Sequence, residues 1–264
     1  MAINTAGFRT PRLNLLRPRA EESMALDDQM DELGLELVGF QRWDQFLAQF
    51  KWKQGEYIAL AGKPGSGKTT LARQLLPRRD FVVVMATKKS DPSLYDPLIA
   101  QGFVVQDHFD PYDREHPKII FKPGFDSTAP TLKEAKATQR EAFGEALLGI
   151  FDAEGWCVYC DEVRYLSQTL RLGEELELLF LQGRSLGISM FVGTQRPVSI
   201  PKVAWDSNHL FFWKTTDKAD VLTMSEYTGI NMDVVRSVAP RLPRHEALYV
   251  NTVTDQMIRT KVSL

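Results

Sequence analysis

Apolar residues fall along this chain in two alternating rhythms. Short, mostly apolar runs at Tyr57–Ala61, Phe81–Ala86, Trp156–Cys160, Ile188–Val192 and His209–Trp213 have the length of strands. The unbroken run from Phe81 to Ala86 is what a parallel strand buried on both faces presents. Between the runs, apolar groups recur at helical spacing. Residues 67–76 predict a helix stopped by Pro77, and residues 93–101 predict another before an extended stretch at 103–105. Thr131 and Glu134 form a capping box after Pro130. Leu132, Ala135, Ala142, Phe143, Ala146, Leu147 and Ile150 then give one face of a long helix. Leu176, Leu179, Phe180 and Gly183 trace a further helix, and Lys218–Tyr227 and Met232–Val238 two short ones. Segment 41–53 spaces its apolar groups helically and is expected to pack beside the core. Strands alternating with helices predict one α/β sheet, and Glu246–Asn251 with Met257–Val262 predict a terminal β-hairpin. Residues 106–130 break the rhythm. They are polar and proline-rich, with one short apolar run at Ile119–Phe121, and read as a hairpin or a functional loop.

The chemistry concentrates where these runs end. Gly62, Lys63, Pro64, Gly65, Ser66, Gly67, Lys68 and Thr69, followed by Thr70, fit the phosphate-binding pattern G-x-x-x-x-G-K-[ST]. An apolar strand precedes the pattern and a helix follows it, which is the context it demands. Glycines let the backbone take conformations a side chain would forbid. The N–H groups can then converge on phosphate oxygens at a helix N-terminus. Lys68 is expected to neutralise the β and γ phosphates of ATP, and the Thr69 hydroxyl to ligate Mg²⁺.

The run Trp156–Cys160 ends in Asp161 and Glu162. Asp161 is expected to hold Mg²⁺, directly or through water, and Glu162 to orient and deprotonate an attacking water. Many strands end in acids for solubility; following a phosphate loop, the pair gains meaning. A carboxylate base, rather than the glutamine of simple signalling GTPases, points to hydrolysis coupled to work. Gln195, just past the strand Ile188–Val192, can hydrogen-bond both water and a γ-phosphate oxygen, and so report which nucleotide is bound.

Composition narrows the partners. A net charge of −2 gives no global basic field, so contacts to nucleic acid must be local. No apolar run approaches the 18 or so residues of a membrane helix, and the N-terminus lacks a signal-peptide core. The two cysteines, Cys157 and Cys160, are spaced C-x-x-C. Residues three apart on a strand point to opposite faces, so these thiols cannot easily meet, and no second pair completes a zinc site. Residues 1–20 carry Arg9, Arg12, Arg17 and Arg19 and no acid, whereas 21–40 carry seven acids and no base. This reads as a flexible arm and an acidic segment. The expected division is 1–54 as arm and helical lead-in packing on the core, and 55–264 as the catalytic domain.

Gly62–Thr69, Asp161-Glu162 and the stretch from Gly183 to Pro197, ending Thr194-Gln195-Arg196-Pro197, together resemble the FtsK–HerA superfamily of DNA-pumping ATPases. The resemblance spans roughly residues 55–215. It implies a RecA-like (ASCE) P-loop core in a homo-oligomeric ring, usually a hexamer, that binds ATP and Mg²⁺ and moves double-stranded DNA. It also implies an arginine reaching into the neighbour's site; Arg184 matches that pattern. The rival reading of Arg184 is a helix-terminal arginine facing the dipole. The chain has no room for the membrane spans and winged helix of FtsK or the β-barrel of HerA proteins. It is similar in size to genome-packaging ATPases of membrane-containing icosahedral viruses. That subgroup implies capsid or virion membrane partners and a place in the host cytoplasm or the virion. Candidate phosphate contacts to DNA are Lys88, Lys89, Lys118, Lys122, Arg196 and the N-terminal arginines. The alternatives are a motor of conjugation, segregation or phage export, a P-loop kinase of small molecules with 106–130 as its lid, and a nucleotide-dependent scaffold.

Overall fold

A computed structural model describes residues 38–125, 127–229 and 232–263. The arginine arm and most of the acidic segment lie outside them. Val38–Leu264 form one compact unit.

Ten strands among the described residues make a single sheet. They are β1 (Phe40–Gln41), β2 (Ile58–Ala61), β3 (Val82–Met85), β4 (Val104–Gln106), β5 (Lys118–Phe121), β6 (Cys157–Cys160), β7 (Ser189–Thr194), β8 (His209–Trp213), β9 (Glu246–Asn251) and β10 (Gln256–Lys261). Their order is β1-β10-β9-β8-β2-β7-β6-β3-β5-β4. From β8 to β4 every pairing is parallel; β9 is antiparallel to β8 and to β10, closing the expected terminal hairpin. Every residue of β2, β3, β6, β7 and β8 is buried, which explains their near-continuous apolar sequence.

The helices are α1 (Trp43–Gln49), α2 (Lys68–Leu75), α3 (Pro92–Ile99), α4 (Leu132–Ala153), α5 (Gly173–Gln182), α6 (Lys218–Glu226) and α7 (Met232–Val238). Their starts are chemically marked. Thr131 accepts a hydrogen bond from the Glu134 amide at 3.2 Å, the forward half of the predicted capping box. Asp217 caps α6 by accepting from the amides of Ala219 and Asp220. In the lead-in, Phe46 of α1 packs edge-on to Tyr249 and Phe211, and Trp43 donates to Gln74 at 2.8 Å.

One expectation is corrected. The apolar run in 106–130 forms neither half of a hairpin. Lys118–Phe121 is an interior parallel strand between β3 and β4. A four-residue run in a polar surround gives too little periodicity to be recognised before its neighbours are known. Both cysteines are free and fully buried in β6, and burial pushes the Cys157 thiol up to about 12 and Cys160 upward as well.

Candidate functional site

The C-terminal ends of β2, β6, β7 and β3 lie side by side, and a cleft of about 390 Å³ opens above them. Pro64 to Thr70, Asp161 and Gln195 line it, so three stretches far apart in sequence meet at one edge of the sheet. The phosphate-loop strand and the acidic strand are not adjacent: β7 sits between them, paired to β2 through Ile58–Phe191 and to β6 through Cys157–Ser189. Gln195 therefore emerges between the loop and the two acids.

The loop owes its shape to its glycines. Gly65 and Gly67 hold φ of 71° and 122°, a region side chains rarely enter. Gly62 is needed for space: a Cβ there would stand 2.8 Å from both Ser66 Oγ and Trp213 Cβ. Lys68 is buried at the start of α2, and its ammonium donates to the carbonyls of Gly62 (2.5 Å) and Lys63 (3.2 Å). Burial lowers its pKa, against the pull of Asp161 and Glu162, which stand close enough to raise it. Two buried polar atoms beside the loop, Ser66 Oγ and Trp213 Nε1, have no hydrogen-bond partner among the described residues. Trp213 Nε1 faces Gly67, within 3.4 Å of where a Cβ would be. Orphaned buried donors around an amide-rich turn fit an anion.

Asp161 accepts from Lys88 Nζ at 2.5 Å and from the Tyr159 hydroxyl at 3.0 Å. The same ammonium reaches Asp91 at 2.7 Å, and Asp91 also accepts from Ser93. Burial alone would raise the Asp91 carboxyl; the hydrogen bonds from Lys88 and Ser93 outweigh it and hold it below its ordinary value. Glu162 is half-buried and behaves oppositely: burial, then the charge of Asp161, push its pKa up.

Arg184 lies elsewhere. It is exposed on the turn Gly183–Leu186 that precedes β7, and so sits at the N-terminal edge of the parallel strands. Six residues of β7 separate that edge from Gln195, about 20 Å at strand rise. Arg184 cannot complete the cleft of its own chain. The proposed phosphate-contacting cations are mostly engaged: Lys88 in the cleft, Lys118 on the Pro77 carbonyl, and Arg196 on Asp220 (2.9 Å) and Asp217 (3.4 Å). Lys89 is exposed.

Lys88, expected only as a contact to DNA, lines the cleft with Asp91 and Ser93, after the tip of β3 where parallel sheets carry ligands. Sequence reasoning missed other cleft residues for want of a local signal. Arg73, one turn along α2, carried none. Trp213 and His245 arrive only through the sheet order; His245 Nδ1 lies 3.3 Å from the Ser66 carbonyl, 179 residues away.

No protein-family model matches the sequence, and no curated protein does. Solved structures match well. The genome packaging NTPase B204 from Sulfolobus turreted icosahedral virus 2, in complex with AMP, aligns at 14% identity over 79% of this chain and 98% of that one, with a TM-score of 0.58. VirB4 of Thermoanaerobacter pseudethanolicus aligns at 11% identity over 79% and 89%, TM-score 0.55. The cytoplasmic domain of the type VII secretion ATPase EccC of Thermomonospora curvata aligns at 14% over 86% of this chain and 28% of that one, TM-score 0.51. At these identities the likeness is one of fold. The chain has the RecA-like P-loop fold, with a mainly parallel sheet flanked by helices, that the resemblance to FtsK–HerA ATPases implied.

Proposed function

We propose that this protein hydrolyses ATP to pump double-stranded DNA, as a homo-oligomeric ring, in the manner of a viral genome-packaging motor. The observation that carries the reading is the meeting of the phosphate loop, Asp161-Glu162 and Gln195 at one sheet edge, with Arg184 at the opposite edge. A cleft that Arg184 of the same chain cannot reach, on a chain that presents that arginine at the far edge, suits head-to-tail association, and heterologous contacts of that kind form rings when their rotation closes. The likeness to B204, described as a genome packaging NTPase, supports the packaging job.

The loop amides and Lys68 would cradle the phosphates. Among the described residues no three His, Cys, Asp or Glu side chains converge on one point. Thr69 and Asp161 would therefore hold Mg²⁺ together with phosphate oxygens, the donor set that ion favours. When bound, Mg²⁺ would neutralise charge developing on the phosphates. Glu162 would take the proton of the attacking water as its oxygen bonds to the γ-phosphorus and the bond to ADP breaks. Gln195 would hold that water, and a neighbour's Arg184 would stabilise the charged transition state.

The test is steady-state ATP hydrolysis against protein concentration, with and without long duplex DNA. Turnover per subunit should rise with concentration and with DNA. Glu162→Gln should lose about 10²–10⁴-fold. Arg184→Ala should lose about 10³–10⁵-fold. Turnover indifferent to concentration and DNA, with an active Arg184→Ala variant, would overturn the reading and direct attention to phosphate transfer onto small acceptors.

A further inference from the structure

We propose that Lys133, Lys136, Arg140 and Arg171 are the surface with which this chain grips the phosphate backbone of duplex DNA. The inference rests on the DNA-pumping reading and deepens it by naming the contacts.

Residues 133, 136 and 140 are spaced i, i+3, i+7 on α4 and so share one helix face. Arg171, from the segment after the acidic strand, lines the same groove. All four are exposed or half-exposed, and none makes an ion pair or side-chain hydrogen bond among the described residues. Glu134 is the one acid lining the groove, so it keeps a strong positive balance.

The placement runs against local stability. Lys133 is the second residue of α4, within the first turn, where the helix dipole disfavours cations. Like charges three and four residues apart on a helix repel one another. Arg171 holds φ 58°, a left-handed backbone unfavourable for a residue with a Cβ. Four unpaired cations gathered against the dipole, like-charge repulsion and backbone preference fit an external polyanion. The row from Lys133 to Arg140 extends about 10.5 Å along the helix axis. One DNA strand offers a phosphate each ~3.4 Å of axis, so the row spans about three phosphates rather than one point anion.

The groove is wired to the cleft. α4 follows β5 and leads into the parallel strand β6, so its N-terminus stands at the nucleotide edge of the sheet. Arg171 is joined to Glu162 by a short segment containing the π-helical turn Tyr165–Thr169, an irregularity frequent at functional sites. Within it, the Tyr165 hydroxyl donates to Gln139 of α4 at 2.8 Å, and Gln168 donates to the Ser199 carbonyl, beyond Gln195, at 2.8 Å. The segment between Glu162 and Arg171 is thus tied both to α4 and to the chain beyond Gln195.

The experiment is fluorescence anisotropy of a labelled duplex with the full-length chain across a salt series, alongside ATP turnover with and without DNA. The K133Q/K136Q/R140Q variant is compared with wild type, with R171Q on a different element, and with K51Q/K53Q, whose exposed lysines lie in the lead-in to β2. Circular dichroism melting verifies that each variant is folded. The triple variant should bind at least tenfold more weakly at moderate salt. Its slope of log K against log salt should shrink by about 0.9 per lost contact, two to three in all. R171Q should shift both in the same direction by about one contact. Both should lose DNA stimulation while keeping DNA-free turnover, and K51Q/K53Q should match wild type. Wild-type affinity and slope in folded K133Q/K136Q/R140Q and R171Q would overturn the groove while leaving the motor standing. A wild-type chain that binds no duplex even at low salt would overturn both.

Discussion

Asp161 and Glu162 are sequence neighbours with opposite surroundings. Asp161 is ringed by donors, with Lys88 and Tyr159 on its oxygens. Glu162 has no such partner among the described residues and is pushed up by burial and by Asp161 beside it. Two carboxylates whose environments differ in this way are suited to different tasks: one holds charge, the other exchanges a proton. The sign for catalysis follows. A base must be deprotonated, and a raised pKa means that it protonates sooner as pH falls. The acid limb of kcat/KM should have its midpoint above the ordinary 4.5 of a glutamate. The sign for stability is the reverse. The folded state prefers the protonated form, so ionising Glu162 weakens the fold as pH rises through that range. Glu162→Gln should melt no lower than wild type at pH 7 while losing the activity with its acid limb. A pH–rate profile and a melting curve on the same preparation check both.

At the scale of elements, β7 governs the geometry of the site. It separates the phosphate-loop strand from the acidic strand and carries Gln195 into the gap. Gly193 permits this closeness: a Cβ there would lie 2.5 Å from the Asp161 backbone carbonyl, which cannot yield as a flexible side-chain tip can. Gly193→Ala should force β6 and β7 apart at the tip, costing about 1–3 kcal/mol by overpacking. It should weaken nucleotide binding in parallel, as Asp161 and Gln195 shift. Gly124→Ala, where a Cβ meets nothing within 4 Å, is the control. Denaturant unfolding and titration with a fluorescent ATP analogue would separate the two effects. Strand β5 carries the matching lesson about legibility: Lys118–Phe121 is fixed by pairing with β3 and β4, and no pattern within its four residues announces it.

At the scale of the whole molecule, the parallel sheet gives the protein two unlike edges. Phosphate loop, acids and Gln195 occupy one, and Arg184 the other. A ring that brings one edge against the other would make each catalytic centre from two chains. Mixing Lys68→Ala subunits with Arg184→Ala subunits, each inactive alone, should then restore activity. Without further cooperativity, about a quarter of interfaces would pair an intact site with an intact arginine. Continued inactivity of the mixture, with association verified by sedimentation, would tell against a shared site. Among the described residues no helix is long and apolar enough to cross a membrane.

The sequence by itself determined what is local. Glycines that must adopt positive φ, a lysine and threonine at a helix start, strands buried on both faces and acids at a strand tip are all written in consecutive residues. Each could be read because backbone conformation and burial impose their own periodicity. Tertiary structure alone decided what depends on strand order. Crossover connections carry the chain over long stretches before returning it to the sheet, so spatial neighbours are not sequence neighbours. The glycine-rich turn and the lysine at its helix were legible in the motif; the 73-residue reach of Lys88 to Asp161 was not. Nor was the arrival of Trp213 and His245 beside the loop, or of Arg171 beside the lysines of α4. Those meetings follow from how the strands are ordered and paired, which no single stretch of the chain encodes.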